Sequence, residues 1–307
     1  MFPKELLHTM IPVFIFLFFC IVPVLLILYI FRYQIKKKKS PLNIELLRSP
    51  GETLRDQIDK SSDDILEYFL YLILMPVLVY SIGITQYTFV NNKLGMTYFT
   101  LMGLVLFGAI FYLLKKLYKL FKLRNSLRVG YECELAVGQG LQILAKYGFN
   151  IFHDFPAQKN FNIDHIAIGP QGIFAIETKG RAKFEKTENE NWKLQFDGEK
   201  LLFPGWVETK PVDQAIRQAK WLQKWIENST GDSHYVTPVL AIPGWFIKQT
   251  KSSELRVSNG KNFDFLSKGN AILTQKQIGI ISFQIEKMCR NVEPKAYKKK
   301  EAANYNN

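Results

Sequence analysis

Three long stretches of the chain carry no charged side chain, whereas the remainder alternates between short apolar runs and polar segments. Each uncharged stretch is between 21 and 25 residues long. A helix rises about 1.5 Å per residue, so each stretch suffices to cross a hydrocarbon layer of about 30 Å. The pattern predicts three transmembrane helices, at about residues 10–32, 68–90 and 95–114.

Basic residues follow the first and third of these stretches, in RYQIKKKK at 32–39 and KKLYKLFKLRNSLR at 115–128. Lys and Arg near helix ends stay on the cytoplasmic side of a membrane. The basic flank lies after the first stretch, whereas a cleaved signal peptide has it before. We therefore predict a multi-pass protein of the cell (inner) membrane, held in the lipid bilayer with its N-terminus outside and its C-terminal domain in the cytoplasm.

This reading divides the chain into three parts. Residues 1–128 form a membrane anchor with a cytoplasmic loop at 33–66, which serves either as a connector or as a small interaction element. Residues 129–292 form a cytoplasmic domain, and residues 293–307 form a basic, polar tail.

The cytoplasmic domain mixes helical and strand-like patterns. A helix ends at Gly148, strand-like runs follow, and a hairpin turns at Asp197-Gly198. A second helix begins near Pro211, and a third opens with a Thr-x-x-Gln capping pattern at Thr274. Helices and strands in this order predict a mixed α/β domain.

The net charge of +13 does not by itself indicate nucleic-acid binding. Residues 129–292 hold 20 Lys or Arg against 17 Asp or Glu, so most of the excess lies beside the predicted spans and in the tail. Juxtamembrane basic runs of this kind attract anionic lipid. The chain also has no CxxC or HExxH pattern, which argues against a zinc site.

Two acids and a lysine lie in the hairpin sequence NIDHIAIGPQGIFAIETKGR, Asn162 to Arg181. If GPQG is a four-residue loop, Asp164 lies directly opposite Glu177, with Cβ atoms about 4.5–5.5 Å apart. Lys179 shares their face because side chains alternate along a strand. A bulge at Gly172 would shift this register by one residue and separate the two acids.

Two carboxylates this close repel each other unless a cation compensates them. Hard oxygen ligands favour Mg²⁺ or Mn²⁺, and Lys179 could hold a water or an anionic oxygen. The alternative is an ordinary hairpin whose charged side chains reach solvent at its ends. Geometry alone leaves both interpretations open.

The order of Asp164 and then Glu177-Thr178-Lys179 across a hairpin resembles the PD-(D/E)xK nuclease core. The string IDHIAIGPQGIFAIETKGR is similar to the nuclease-related domain, NERD, from about Gly130 to Ile226. Glu134 matches that family's acid on the helix before the sheet, and Gln214 matches its glutamine after the core. Cys133 and Lys210 depart from the usual glycine and asparagine without removing a candidate ligand.

The resemblance implies an α/β fold of the restriction-endonuclease type, in which helices flank a mixed sheet that follows the three transmembrane helices. It implies that Asp164 and Glu177 bind the metal, that Glu134 assists as a further ligand, and that Lys179 orients or activates the attacking water. Gln214 would position Lys179, a water or a phosphate. A plain polar residue at a helix N-terminus is an equally good description of Gln214.

Other residues near this core have ordinary structural interpretations. His165 points away from the Asp164 face and is expected to be packed. Trp221 and Trp225 are expected to lie in the core rather than to stack on bases. A solvated helix face explains the basic residues at helical spacing, which are Arg217, Lys220 and Lys224.

The leading hypothesis is a membrane-anchored, Mg²⁺- or Mn²⁺-dependent nuclease that cleaves phosphodiester bonds, in DNA rather than RNA. The alternative is a non-catalytic module that binds nucleic acid or acts as a scaffold at the membrane. The small charge excess of the domain favours the alternative, because phosphate binding recruits many cations.

Overall fold

The computed structural model of the protein describes residues 4–38, 40–89, 95–158, 161–183 and 192–296. The chain divides into two compact units. A helical unit comprises the described parts of Met1–Asn43, Asp59–Asn125 and Pro294–Asn307. An α/β unit comprises Ile44–Ile58 and the described parts of Ser126–Glu293.

Three long helices supply the helical unit: α1 (Lys4–Lys36), α2 (Glu52–Phe89) and α3 (Met96–Leu141). Inside this unit, α2 and α3 pack through the buried side chains of Ile65, Leu117 and Leu120. Most other apolar side chains of α2 and α3 within the helical unit are exposed or only partly buried, as on a helix without a protein core around it.

Two helices, within Glu52–Tyr87 and Met96–Tyr147, are long and apolar enough to cross a membrane by length and composition. They cover the second and third predicted spans. Some side chains of the first predicted span, residues 10–32, lie outside the described residues. The count of three spans therefore stays a prediction.

A five-stranded mixed sheet forms the centre of the α/β unit. The strands are β2 (Asn150–Gln158), β3 (Phe161–Gly169), β4 (Gly172–Thr178), β8 (Val236–Ala241) and β10 (Arg256–Ser258). Their order across the sheet is β10-β8-β4-β3-β2; β2, β3 and β4 pair antiparallel, and β4, β8 and β10 pair parallel. The predicted mixed α/β architecture is confirmed.

Side-chain alternation along β3 and β4 gives the sheet two buried faces. Ile166 and Ala175 face a cluster that includes α4 (Lys210–Thr230) and α5 (Gln275–Cys289). Ala167 and Ile176 face the opposite cluster, to which the end of α3 and the 3₁₀ helices Gln142–Tyr147 and Asp264–Ser267 contribute. The central strands are thus apolar on both sides, as strands covered by helices on both faces must be.

A second, four-stranded sheet has the order β7-β6-β5-β9. It packs on the N-terminal part of α4 through a cluster that includes Leu194, Phe196 and Val212. Its strands are β5 (Lys193–Phe196), β6 (Leu201–Phe203), β7 (Trp206–Glu208) and β9 (Phe246–Gln249). The predicted hairpin at Asp197-Gly198 joins β5 to β6.

Short-range signals located several helix ends correctly. Pro211 lies in the first turn of α4, and Thr274 and Gln277 form the predicted capping box of α5. The predicted first helix ends at Gly148, where φ is +81°, although its last turn is the 3₁₀ helix. Glycine suits that left-handed position because it has no Cβ.

Residues 44–58, here called the 44–58 segment, belong to the α/β unit although they lie inside the predicted loop 33–66. Within it, β1 (Leu46–Leu47) pairs antiparallel with β11 (Arg290–Val292). The backbone N–H of Arg48 donates to the carbonyl of Cys289 at 3.0 Å. The 44–58 segment is therefore a structural part of the α/β unit and not only a connection between two helices.

Asp154 anchors the 44–58 segment to β2. Its carboxylate is 4% exposed and accepts two hydrogen bonds from the Arg48 guanidinium, at 2.6 and 3.0 Å. Thr53 adds a backbone bond at 2.7 Å and a hydroxyl bond at 2.8 Å. Asp154 also has a φ of +48°, which is a strained conformation for a residue other than glycine. Its strained backbone and its buried carboxylate are both stabilised by the bonds from Arg48 and Thr53.

Substitution Arg48→Ala should lower the free energy of unfolding of the α/β unit by roughly 3 kcal/mol, because it leaves a buried carboxylate without its cation. All five tryptophans lie in this unit, so urea denaturation followed by tryptophan fluorescence reports on it alone. The control is Arg128→Ala, which breaks an ion pair with Glu132 whose side chains are both 63% exposed. If Arg48→Ala lowered the free energy of unfolding no more than Arg128→Ala does, the stabilising role of the Arg48–Asp154 ion pair would be contradicted.

Candidate active site

A cavity of about 330 Å³ lies in the α/β unit at the end of the β3–β4 hairpin. It contains all five residues that the sequence analysis singled out. Twelve residues line it: Thr53, Leu54, Gln57, Glu134, Asp154, Phe161, Asn162, Asp164, Glu177, Thr178, Lys179 and Gln214. The predicted residues, although spread over 81 positions of the chain from Glu134 to Gln214, are therefore neighbours.

The β3–β4 register is the one predicted. Residues pair from Gly169 with Gly172 to His165 with Ile176, so Asp164 and Glu177 are the next positions on the two strands. Gly172 takes a φ of +129°, which only glycine adopts without strain, yet it pairs directly and forms no bulge. The shifted register that would separate the acids is excluded.

Asp164 lies at the open end of this hairpin, one residue beyond the last regular pair. Its Oδ2 accepts a hydrogen bond of 2.6 Å from the backbone N–H of Thr178 on the neighbouring strand. This bond closes the hairpin beyond the last regular pair and fixes the carboxylate beside Glu177. Burial, and then the charges of Glu177 and Glu134, raise the pKa of Asp164 well above its usual value.

Glu177 is deeply buried, with only 2% of its side chain exposed to solvent. Its Oε1 accepts a hydrogen bond of 2.8 Å from Gln214 Nε2 and lies 2.6 Å from Lys179 Nζ. Its Oε2 is buried and has no hydrogen-bond partner in the part of the chain that the structure describes. One oxygen is thus fixed from two sides, while the other is free to accept a ligand.

Lys179 extends β4 by one further backbone bond, from its N–H to the carbonyl of Ala241 at 2.9 Å. The parallel strand β8 therefore sets the position of this lysine. Its ammonium contacts Glu177, 25% of its side chain is exposed, and the residue lines the cavity.

Glu134 comes from the last turns of α3 and is 8% exposed. Burial, followed by the charges of Asp154 and Glu177, raises its pKa from 4.5 to about 8. Lys179 and the backbone N–H of Gly51 act in the opposite direction. This buried acid is thus met by a backbone donor, as its burial requires.

The donor set fits a hard divalent cation. It consists of carboxylate oxygens, one of which is buried and without a partner among the described residues. Burial, and then repulsion by neighbouring acids, raises the pKa of Glu134 and Asp164. Asp164, Glu177 and Glu134 are the residues that could hold Mg²⁺ or Mn²⁺. Within the described residues, no three His, Cys, Asp or Glu side chains form a ready-made ligand cluster.

Sequence reasoning missed the polar residues that surround these acids. Asn162 donates to Asp154 at 2.9 Å and to Thr53 at 2.6 Å, and so links β3 to the 44–58 segment. An acid among apolar residues in NIFHDFPA was a usable signal for Asp154. No local pattern pointed to Thr53 or Gln57, because their position depends on contacts about 100 residues apart in the chain.

His165 is packed, as expected, and does not line the cavity. Its Nδ1 lies 2.9 Å from Nδ1 of His153 on β2. Burial lowers the pKa of both imidazoles, that of His153 to about 4. Two neutral rings can share this contact because one nitrogen carries a proton and the other accepts it.

Residues 129–243 match the family described as NERD, the nuclease-related domain. This part of the chain is a nuclease-related domain. The match begins one residue before the predicted resemblance and extends beyond its end. No curated protein and no solved structure matches the chain.

The nuclease-related domain should lose stability between pH 6.5 and 8 when EDTA is present. In this window the unfolded chain has released the Glu134 proton, which the folded chain keeps up to a pKa of about 8, so folding is favoured less as pH rises. Asp164 acts in the same direction. His153 and His165 act in the opposite direction, but only below their ordinary pKa of 6.5.

The measurement is urea denaturation by tryptophan fluorescence at several pH values. Glu134→Gln should reduce the fall in the free energy of unfolding between pH 6.5 and 8, and the part due to Asp164 should remain. Glu132→Gln, which changes an exposed acid two residues away, should leave the fall unchanged. Equal falls in the two variants would show that Glu134 does not cause it.

Proposed function

We propose that the protein is a membrane-anchored, metal-dependent nuclease that hydrolyses phosphodiester bonds in DNA. The observation that carries the proposal is the state of Glu177 in a nuclease-related domain. One of its oxygens is held by Lys179 and Gln214, and the other is buried without a partner next to Asp164. The family match itself supports a nuclease-related function and nucleic-acid binding. Metal dependence, DNA and the restriction-endonuclease-like fold belong to the proposal.

Each of the candidate site residues would have a separate role. Asp164 and Glu177, assisted by Glu134, would hold the cation, which when bound stabilises charge that develops on phosphodiester oxygens. Gln214 would keep Glu177 oriented through its hydrogen bond. Outer partners of this kind fix the direction of a ligand.

Lys179 would orient the reacting water or a phosphate oxygen. Hydrolysis requires a water oxygen to attack phosphorus, a proton to leave that water, and the bond from phosphorus to the leaving oxygen to break. An ammonium held at 2.6 Å from Glu177, with part of its surface exposed, can donate a hydrogen bond to either oxygen. A fixed donor of this type stabilises developing negative charge without having to reorganise.

The proposed location is the cell (inner) membrane, with the N-terminus outside and the nuclease-related domain in the cytoplasm. Two apolar helices of sufficient length and the basic runs at 32–39 and 115–128 support it. A nuclease in this position would act on nucleic acid close to the cytoplasmic face of the bilayer.

A non-catalytic module that binds nucleic acid or serves as a scaffold is the second candidate. The modest charge of residues 129–292, with 20 basic and 17 acidic side chains, favours it. The lack of a ready-made three-ligand cluster among the described residues also favours it. Binding without cleavage in either Mg²⁺ or Mn²⁺ would select this candidate.

The full chain, purified in detergent, should cleave DNA in Mg²⁺ or Mn²⁺ and lose this activity in EDTA. Asp164→Asn, Glu177→Gln and Lys179→Met should each lower the rate by at least about 100-fold, which is the scale of a positioned catalytic group. Gln214→Ala should lower it by about 10- to 100-fold, as expected for the partner of a metal ligand.

Exposed residues of the same types provide the matched controls. Asp213→Asn and Lys183→Met change side chains that lie outside the cavity. Both should retain the parent rate. Activity that survived the changes at Asp164, Glu177 and Lys179 would reject the mechanism.

Fusion reporters test the proposed orientation. A fluorescent protein joined to the C-terminus should fluoresce, because it folds in the cytoplasm, and alkaline phosphatase joined at the same point should be inactive. The reverse result would place the nuclease-related domain outside the cell and reject the orientation derived from the basic flanks.

A further inference from the structure

A second cavity, of about 620 Å³, adjoins the candidate active site on the side of α4. The two cavities share Phe161 and Gln214. We call this second cavity the flanking pocket; its lining is Phe161, Gln214, Arg217, Gln218, Lys220 and Trp221. Whatever occupies it lies next to the carboxylates that would hold the metal.

One wall of the flanking pocket is aromatic. The rings of Phe161 and Trp221 are edge to face, with their centroids 5.5 Å apart. Both side chains are only partly buried, although both pack against the core cluster. Both tryptophans of α4 pack against the core, as expected. Trp225 contacts Phe155 and does not line the pocket, whereas Trp221 contacts Phe155 and also lines the pocket.

Gln218, which lines the pocket, carries a buried hydrogen-bond acceptor without a partner among the described residues. Gln218 is 3% exposed, and its Nε2 donates to the carbonyl of Asn162 at 3.0 Å. Because the nitrogen of the Gln218 amide makes that bond, the other terminal atom of the amide is the oxygen, Oε1. This Oε1 is buried and has no partner among the described residues, a state that costs free energy unless a ligand donates to it.

Two cations border the same pocket. Arg217 and Lys220 are exposed, lie three residues apart on α4, and form no ion pair with any residue that the structure describes. Residues at this spacing lie on one side of a helix. They would meet a phosphate on either side of a group that sits against Trp221.

These features match the parts of a nucleotide. A base stacks on an aromatic ring, its ring or amino N–H donates to an acceptor such as Gln218 Oε1, and its phosphates meet arginine and lysine. An apolar ligand without phosphate would leave the acceptor and both cations unused. A base inside a duplex cannot enter, because its faces are stacked and its Watson–Crick edge is paired.

We infer that the flanking pocket binds an unpaired nucleotide next to the scissile phosphodiester, so the substrate carries a single-stranded segment at the cleavage point. The inference rests on the proposed nuclease function, since it names the substrate class of that same site. It gives Trp221 and Gln218 a role in selecting substrate, and Arg217 and Lys220 a role in holding the strand.

The binding test uses the full chain in detergent, with Mg²⁺ and a Lys179→Met background that binds without cleaving. Fluorescence anisotropy compares a labelled DNA duplex that has a single-stranded tail with a blunt duplex of the same length. The tailed probe should bind about tenfold more tightly. Trp221→Leu should remove about tenfold of affinity for the tail, which is the scale of one stacked base.

Trp225→Leu is the matched control, because it makes the same change on the same helix, against the same Phe155, outside the pocket. It should change the affinity for the tailed probe by less than about twofold, below the effect of one stacked base. Equal losses in the two variants, or equal binding of the tailed and blunt probes, would overturn the inference.

A second pair of variants keeps the test decisive if Trp221→Leu does not fold. Arg217→Gln combined with Lys220→Gln changes only exposed side chains. The slope of log affinity against log salt is negative, and the double variant should reduce its magnitude by about 1.4. This value corresponds to the loss of about two contacts with single-stranded phosphates. Lys224→Gln, exposed on the same helix outside the pocket, should change it by less than half as much. An unchanged slope in the double variant would overturn the inference.

Cleavage by the parent protein separates this inference from the proposed function. Tail binding that depends on Trp221, without any cleavage in Mg²⁺ or Mn²⁺, would support the pocket and reject the nuclease. Cleavage of tailed and blunt duplexes at equal rates, unaffected by Trp221→Leu, would support the nuclease and overturn the pocket.

Discussion

The candidate site depends on the register of the β3–β4 hairpin. The turn admits no other register easily, because a Cβ at Gly169 would lie 2.4 Å from the buried Phe149 ring and Gly172 has a φ of +129°. Beyond the turn, β4 is held on one side by β3 and on the other by β8. A slip of one residue would turn every side chain of the strand to the other face, so the same constraint fixes the two-sided core and the Asp164–Glu177 pair.

The electrostatic cost of this arrangement is met by donors from many parts of the chain. Lys179 and Gln214 hold Glu177, the Thr178 N–H holds Asp164, and the Gly51 N–H holds Glu134. Asp154, which also lines the cavity, is held mainly from the 44–58 segment. Four acids can therefore lie close together, three of them buried and Asp164 partly buried, because the scaffold supplies fixed donors. The remaining repulsion is what a divalent cation would relieve.

Sequence reasoning succeeded where short-range rules decide the outcome. The hairpin register, the first turn of α4 and the capping box of α5 each depend on residues a few positions apart. It failed where the deciding contact is remote: Arg48 and Asp154 are 106 residues apart, and no periodicity shows that a predicted loop carries the partner of a buried acid. The pocket beside Trp221 was missed for a related reason, since helical spacing indicates the buried side of a helix but cannot reveal a cavity next to it.

Gln214 would connect the proposed chemistry to the proposed choice of substrate. Its Nε2 donates to Glu177 at 2.8 Å, and its side chain lines both the candidate active site and the flanking pocket. A nucleotide in the pocket would touch the amide that holds Glu177, the proposed metal ligand. Because the amide has few orientations that keep the Glu177 bond, a well-seated nucleotide would favour the aligned carboxylate and a poorly seated one would disturb it. The same residue that completes the site can thereby make cleavage depend on what lies beside it.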